Sequence, residues 1–132
     1  GIITVLSGMS TMEQVLDNIS YMKDFKPLSK EEQNTIKEAQ KALDAIESIP
    51  CTACRYCTPG CPMGIEIPDI FKAMNWYKIY GMKDKAKDRY ESTVQKSAKA
   101  SECIECGQCE GVCPQQLPII KYLKECADVL EE

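Results

Sequence analysis

Histidine is absent from all 132 residues, while cysteine occurs nine times. The absence excludes Cys/His zinc sites and Rieske-type ligation, and it removes the commonest general base. A basic excess is missing too. Sixteen Lys and Arg stand against 20 Asp and Glu, for a net charge of −4, so no nucleic-acid footprint is expected. No apolar run approaches the ~20 residues of a membrane span. The opening GIITVLSGMS is apolar but carries no basic n-region, so it does not read as a signal peptide. Glycine and proline are modest, at seven each, and 44% hydrophobic with 27% charged residues fits an ordinary globular chain. With no sign of secretion, the expected compartment is a reducing cytoplasm. There, dense cysteine points to metal rather than disulfides.

Along the chain, Ile2-Ile3-Thr4-Val5-Leu6 is a short β-branched run closed by Ser7-Gly8, which reads as one buried strand. Ser10 to Glu13 has the form of a helix capping box, and Met12, Val15, Leu16, Ile19 and Met22 follow at helical spacing. Pro27 stops this element. Ser29 to Glu32 forms a second capping box. Ile36, Ala39, Leu43 and Ile46 then mark one face of a helix running to about Ser48. Pro68 opens a further helix with the stripe Ile70, Phe71, Met74 and Tyr77, stopped by Gly81. Residues 83–99 predict an amphipathic helix with Ala86, Tyr90, Val94 and Ser97 inward. Pro118 opens the last, with Ile119, Leu123, Cys126 and Leu130 inward. One strand cannot make a sheet, so the expected fold is all-α around two cysteine loops.

Those loops, CTACRYCTPGCP (51–62) and CIECGQCEGVCP (103–114), share C-x2-C-x2-C-x3-C-P at an offset of 52 residues. Each leads through a short loop and an apolar–proline step (Ile67-Pro68, Leu117-Pro118) into a helix, as an internal duplication would. Three cysteines at i, i+3 and i+6 can face one compact cluster, and a fourth must come from elsewhere. In the bacterial ferredoxin pattern, which this is, the fourth cysteine ligates the other cluster. The expected ligands are therefore Cys51, Cys54, Cys57 and Cys113 for one [4Fe–4S] cluster and Cys103, Cys106, Cys109 and Cys61 for the other. Gly60, Gly107 and Gly111 would let backbone N–H groups approach the sulfurs. Zinc and disulfides are the competing readings. Zinc favours paired C-x2-C knuckles, and disulfides would strand a ninth cysteine. Cys126, on an apolar helix face, reads as a core residue. Glu102, Glu105 and Glu110 surround the second run, which predicts a lower reduction potential there.

The 41 residues between Cys61 and Cys103 hold two helices, where a compact β-rich ferredoxin has a short connection. This arrangement resembles the α-helical ferredoxin fold of the iron–sulfur subunits of succinate dehydrogenase and fumarate reductase, and of the amino-terminal domain of dihydropyrimidine dehydrogenase. TVLSGMSTMEQVLDN (4–18) resembles the end of an aldo/keto reductase barrel. There the last strand runs into V-I-P-G-A-S-x-P-E-Q-V-x-x-N. Val5, Gly8, Ser10, Glu13, Gln14, Val15 and Asn18 match, while Ser7 and Met12 stand where proline is frequent. Some members of that family carry an added dicluster ferredoxin domain, and the whole chain resembles the end of such a protein.

The resemblance implies three regions: a remnant of the last barrel strand and helix (1–28), a connecting helix (29–50) and a dicluster ferredoxin-like domain (51–132). It implies that Ser7, Ser10, Glu13, Gln14 and Asn18 contact NADP in the complete enzyme only. The family's catalytic residues lie on earlier strands, so this chain alone is expected to be non-catalytic. The expected function is electron transfer through two [4Fe–4S] clusters, as the iron–sulfur domain of an aldo/keto reductase family oxidoreductase. A flavoprotein or ferredoxin would serve as redox partner, with neither nucleic acid nor membrane involved. The alternative is that the clusters, or zinc, are structural staples of a docking domain without redox turnover.

Overall fold

A computed structural model describes residues 4–132 of the chain, which divides into two compact units, Gly1–Leu43 and Asp44–Glu132. All regular structure among the described residues is helical. The expected strand is not found. Thr4 to Ser10 takes no regular structure, and Val5 and Leu6 are exposed. A strand needs a hydrogen-bonding partner, and the described residues offer none. Ile2 and Ile3 lie outside the described residues.

The first unit holds α1 (Met12–Lys23) and most of α2 (Lys30–Asp44). The cap of α1 differs by one residue from the sequence expectation. Thr11 is the N-cap and Gln14 the reciprocal partner, whose Oε1 accepts from the Thr11 N–H at 3.2 Å. T-x-x-Q satisfies the same geometry as S-x-x-E. The Ser29–Glu32 box forms as the sequence predicts, with Glu32 Oε2 accepting from the Ser29 N–H at 2.7 Å and Ser29 Oγ accepting in return at 3.2 Å. Helix α2 stops at Asp44 rather than near Ser48. Neither helix holds a buried residue, so the stripe of Met12, Leu16, Ile19 and Met22 does not form the packed face its spacing suggests.

The second unit carries the core. Helix α3 (Ile67–Tyr80) begins with Pro68 in its first turn and ends at Gly81, which takes the left-handed conformation at φ 67°. Met82 N–H reaches back to Trp76 O at 3.3 Å, so a turn that only glycine adopts without strain reverses the chain into α4 (Lys83–Val94). Helix α4 ends five residues earlier than predicted, and a short 3₁₀ turn, Ala100–Glu102, follows. The one-turn α5 (Gln108–Gly111) lies inside the second cysteine run, and α6 (Ile119–Leu130) closes the unit. Its buried residues are Ile119, Leu123, Cys126 and Leu130, as their spacing predicted.

Helix α3 packs on both α4 and α6. Ile49, Ile65, Ile67, Ile70, Phe71, Met74, Ile119, Leu123 and Cys126 fill the space between them. Phe71 meets Tyr122 edge-on, with centroids 5.8 Å apart at 83°. Lys78 of α3 is held by Glu125 of α6 at 2.5 Å.

Candidate metal centre

The duplication seen in the sequence is also a duplication of backbone. The hydrogen bonds from Thr58 N to Arg55 O, Cys61 N to Thr58 O and Gly64 N to Cys61 O recur 52 residues later. Their counterparts run from Glu110 to Gly107, Cys113 to Glu110 and Gln116 to Cys113, all between 3.0 and 3.3 Å. Positive φ values recur with the same offset: Ala53 (55°) with Glu105 (57°), Arg55 (63°) with Gly107 (77°), and Gly64 (68°) with Gln116 (51°). Four of these six are not glycine, and sequence reasoning missed them. Of the three glycines expected to loosen the backbone, only Gly107 takes positive φ; Gly60 and Gly111 do not. Left-handed residues alternating with ordinary ones turn successive N–H groups to one side of a loop, which makes an anion-binding concavity of the kind found at iron–sulfur sites. That benefit offsets the ~1–3 kcal/mol of strain at each non-glycine position.

Each run curls around a cavity, and the four thiols of each cavity come from both runs. Cys51, Cys54, Cys57 and Cys113 line the first; Cys61, Cys103, Cys106 and Cys109 line the second. The apolar walls also match across the repeat. Pro68, Phe71 and Leu117 face the first cavity where Ile120, Leu123 and Ile65 face the second. Ile67 lines both, so the two cavities lie back to back across one side chain.

This donor set fits a polynuclear iron–sulfur group. All nine cysteines are free thiols. Yet among the described residues no three Cys, Asp or Glu side chains close tightly enough to hold a single metal ion. A zinc tetrahedron needs four sulfurs at ~2.3 Å from one centre. Four thiols spread around a wider cavity suit a cluster instead. Burial pushes the Cys51 and Cys57 thiols up and carries Cys109 up to about 11. Without a cationic core such thiols stay protonated, whereas coordination to metal deprotonates a thiol outright. The Thr58 hydroxyl, beside Cys57, is buried without a hydrogen-bond partner, and a sulfur-bearing anion would satisfy it.

Flanking groups hold the runs in place. Asn75 of α3 grips Ile49, two residues before Cys51, through two hydrogen bonds to its backbone. Arg55 binds Glu66 at 2.8 Å and Asp69 at 2.9 Å. At the second run, Glu102 accepts from the Lys99 N–H, Glu105 pairs with Lys124 at 2.9 Å, and Glu110 accepts from the Ile120 N–H at 2.9 Å. Beyond α6, Glu131 accepts from the hydroxyl of Tyr90 and from both the N–H and the hydroxyl of Ser101, two residues before Cys103. Cys126 is fully buried, lines neither cavity, and is pushed up to about 12 by burial. Of the five residues implied as NADP contacts, Ser7 and Ser10 precede α1, and Glu13, Gln14 and Asn18 lie within it. Gln14 Oε1 also accepts from the Ser10 N–H at 2.7 Å, Asn18 donates to Ser7 Oγ at 3.2 Å, and Glu13 sits in the first turn.

Comparison with known proteins agrees with this geometry. Residues 50–118 match the model of the 4Fe-4S dicluster domain. The chain is 25% identical over 130 residues, 98% of its length, to a component of the ion-translocating oxidoreductase complex of Buchnera aphidicola subsp. Acyrthosiphon pisum (strain APS), covering 24% of that protein. It is 30% identical over 103 residues, 78% of its length, to a probable glycolate oxidase iron-sulfur subunit of Bacillus subtilis (strain 168), covering 22% of it. The chain thus spans about a quarter of the length of these curated relatives. No solved structure gives a significant match. No helix among the described residues is long and apolar enough to cross a membrane. The family match takes in more than half of the sequence and all eight cysteines that line the two cavities, and the chain belongs to the 4Fe-4S dicluster domain family.

Proposed function

We propose that this chain is the electron-relay part of a larger oxidoreductase. In this reading Cys51, Cys54, Cys57 and Cys113 hold one [4Fe–4S] cluster, and Cys103, Cys106, Cys109 and Cys61 hold the other. Bound there, the clusters supply one-electron redox chemistry. The protein's part is to ligate them, exclude water from them and keep them adjacent. Ile65, Ile67, Phe71, Leu117, Ile119 and Leu123 give each cavity an apolar wall. The observation that carries the proposal is the sharing of Ile67 between two four-thiol cavities. Two sites separated by one side chain are suited to passing an electron between them. The names of the relatives, a component of an oxidoreductase complex and a probable iron–sulfur subunit of an oxidase, favour the same role.

The second reading is structural. Each cavity draws thiols from both runs, so each bound group also braces α3 to α6. An EPR-monitored redox titration of the anaerobic, iron-loaded protein separates the two. Reversible reduction of both sites is expected. Clusters that cannot be reduced would leave only the brace.

The finer part of the proposal concerns the parent. The residue pattern of 4–18 supports an aldo/keto reductase barrel preceding this chain, with Ser7, Ser10, Glu13, Gln14 and Asn18 near NADP in that larger protein. The division would then be a barrel remnant at 1–28, a connecting helix at 29–50 and the dicluster domain at 51–132. Neither relative is named as an aldo/keto reductase, so their names favour an oxidoreductase parent without favouring a barrel. NADPH binding by the full-length parent tests this part, and its absence would remove the barrel while leaving the relay intact. A flavoprotein or ferredoxin partner suits the relay, because nicotinamide exchanges two electrons as hydride. Nine free thiols suit a reducing cytoplasm.

A further inference from the structure

The two cavities are matched in burial. Cys57 and Cys109 are each 7% exposed, Cys54 and Cys106 are both exposed, and the remaining four are half-buried. Solvent exposure therefore does not distinguish the sites, and any difference falls on the side chains around them. The residues after the third cysteine of each run are Thr58 and Glu110, equivalent by the 52-residue offset and by their shared backbone hydrogen bonds. Their chemistry is opposite. Thr58, next to Cys57 in the chain, brings a buried hydroxyl with no partner. Glu110 brings a carboxylate beside Cys109, held by the Ile120 N–H at 2.9 Å.

We infer that Thr58 and Glu110 set the two sites to different reduction potentials, Thr58 raising the first by donating its hydroxyl hydrogen to the Cys57 sulfur and Glu110 lowering the second by its charge. The inference rests on the reading above that the eight cysteines hold clusters. Potential follows hydrogen bonding to the sulfurs and the net charge nearby. A donor at sulfur stabilises the extra negative charge of the reduced state, and a neighbouring carboxylate opposes it. The Arg55 and Glu105 charges are largely offset. Arg55 is paired with Glu66 and Asp69, and Glu105 with Lys124, all at least a third exposed and therefore screened.

The test is an EPR-monitored redox titration of anaerobically loaded wild type, Thr58→Val, Thr58→Ser and Glu110→Gln. Wild type should show two separate potentials. Thr58→Val should lower the higher one alone, by about tenfold in its reduction equilibrium, or about 59 mV for one electron. Thr58→Ser should keep it, and Glu110→Gln should raise the lower one. A Thr58→Val protein with both potentials unchanged, or both moved equally, would overturn the inference. So would Thr58→Ser behaving like Thr58→Val. If Thr58→Val takes up no iron, Thr58→Ala replaces it. Failure of both to load while Thr58→Ser loads would also overturn it, because the hydroxyl would then be needed for assembly rather than tuning. Wild type that binds no iron–sulfur group at all would instead sink the relay reading itself.

Discussion

Asn75 holds Ile49 as a neighbouring strand would: its Oδ1 accepts from the Ile49 N–H at 2.7 Å and its Nδ2 donates to the Ile49 carbonyl at 2.9 Å. Ile49 is 1% exposed, so no water replaces these bonds. The grip fixes the backbone two residues before Cys51 onto α3. Replacing Asn75 with Ala leaves the buried Ile49 N–H unpaired, while the Ile49 carbonyl keeps the Cys51 N–H at 2.8 Å; the loss costs about 1–3 kcal/mol. Thermal melting of the loaded protein should show the loss, and an unchanged midpoint would mean the contact is incidental.

Glu131 does for the second run what Asn75 does for the first. Burial favours its protonated form, but bonds from Ser101 and Tyr90 outweigh this, and its pKa falls below the usual 4.5. A carboxylate depressed on folding stabilises the fold above its unfolded pKa, and that stabilisation is lost as pH falls through the lower folded value. Wild type should therefore exceed Glu131→Gln in urea stability at pH 7, with the gap narrowing below about pH 4.5. Tyr90 shifts the other way, raised by burial and by Glu131, so its contribution is full below pH 10 and declines above it. A gap between the two proteins that does not change with pH would contradict this account of Glu131.

Ile67 faces both cavities, and its truncation should damage both sites. Ile67→Ala should cost about 2–5 kcal/mol. It should also shorten the lifetime of both clusters in air, followed by visible bleaching. Leu123→Ala, on the wall of the second cavity only, should affect one signal. Equal loss of both signals in Leu123→Ala would show that the walls do not act separately.

Much of this was legible from the residues. The spacing of Ile119, Leu123, Cys126 and Leu130 named the buried face of α6 without error, and Gly81 named the end of α3. The 52-residue repeat was visible as text and proved to be a repeat of hydrogen bonds and left-handed residues as well. What stayed hidden has a physical cause. Ala53, Arg55, Glu105 and Gln116 adopt positive φ without being glycine, because the loop geometry overrides their intrinsic preference. Asn75 and Glu131 act on partners 26 and 30 or more residues away, beyond the reach of local pattern. Thr4, Val5 and Leu6 are strand-like residues, but strand formation depends on a partner that propensity does not reveal.

Removing the metal should unfold the second unit as a whole. Each cavity is lined by both runs, so neither half keeps a complete site without the other. Chelation under reducing conditions should give one cooperative loss of the helical signal from Asp44–Glu132. Two separate steps would indicate that each run closes on its own metal.

The central claim is that eight cysteines build two crossed [4Fe–4S] sites. Iron and acid-labile sulfide per chain, measured on protein purified without oxygen, test it most directly, with Cys113→Ala measured beside wild type. Wild type should carry about eight of each, and the variant about four, retaining the cluster of Cys103, Cys106, Cys109 and Cys61. Zinc in place of iron, iron without sulfide, or a Cys113→Ala protein that keeps the cluster of Cys51, Cys54 and Cys57 would contradict it.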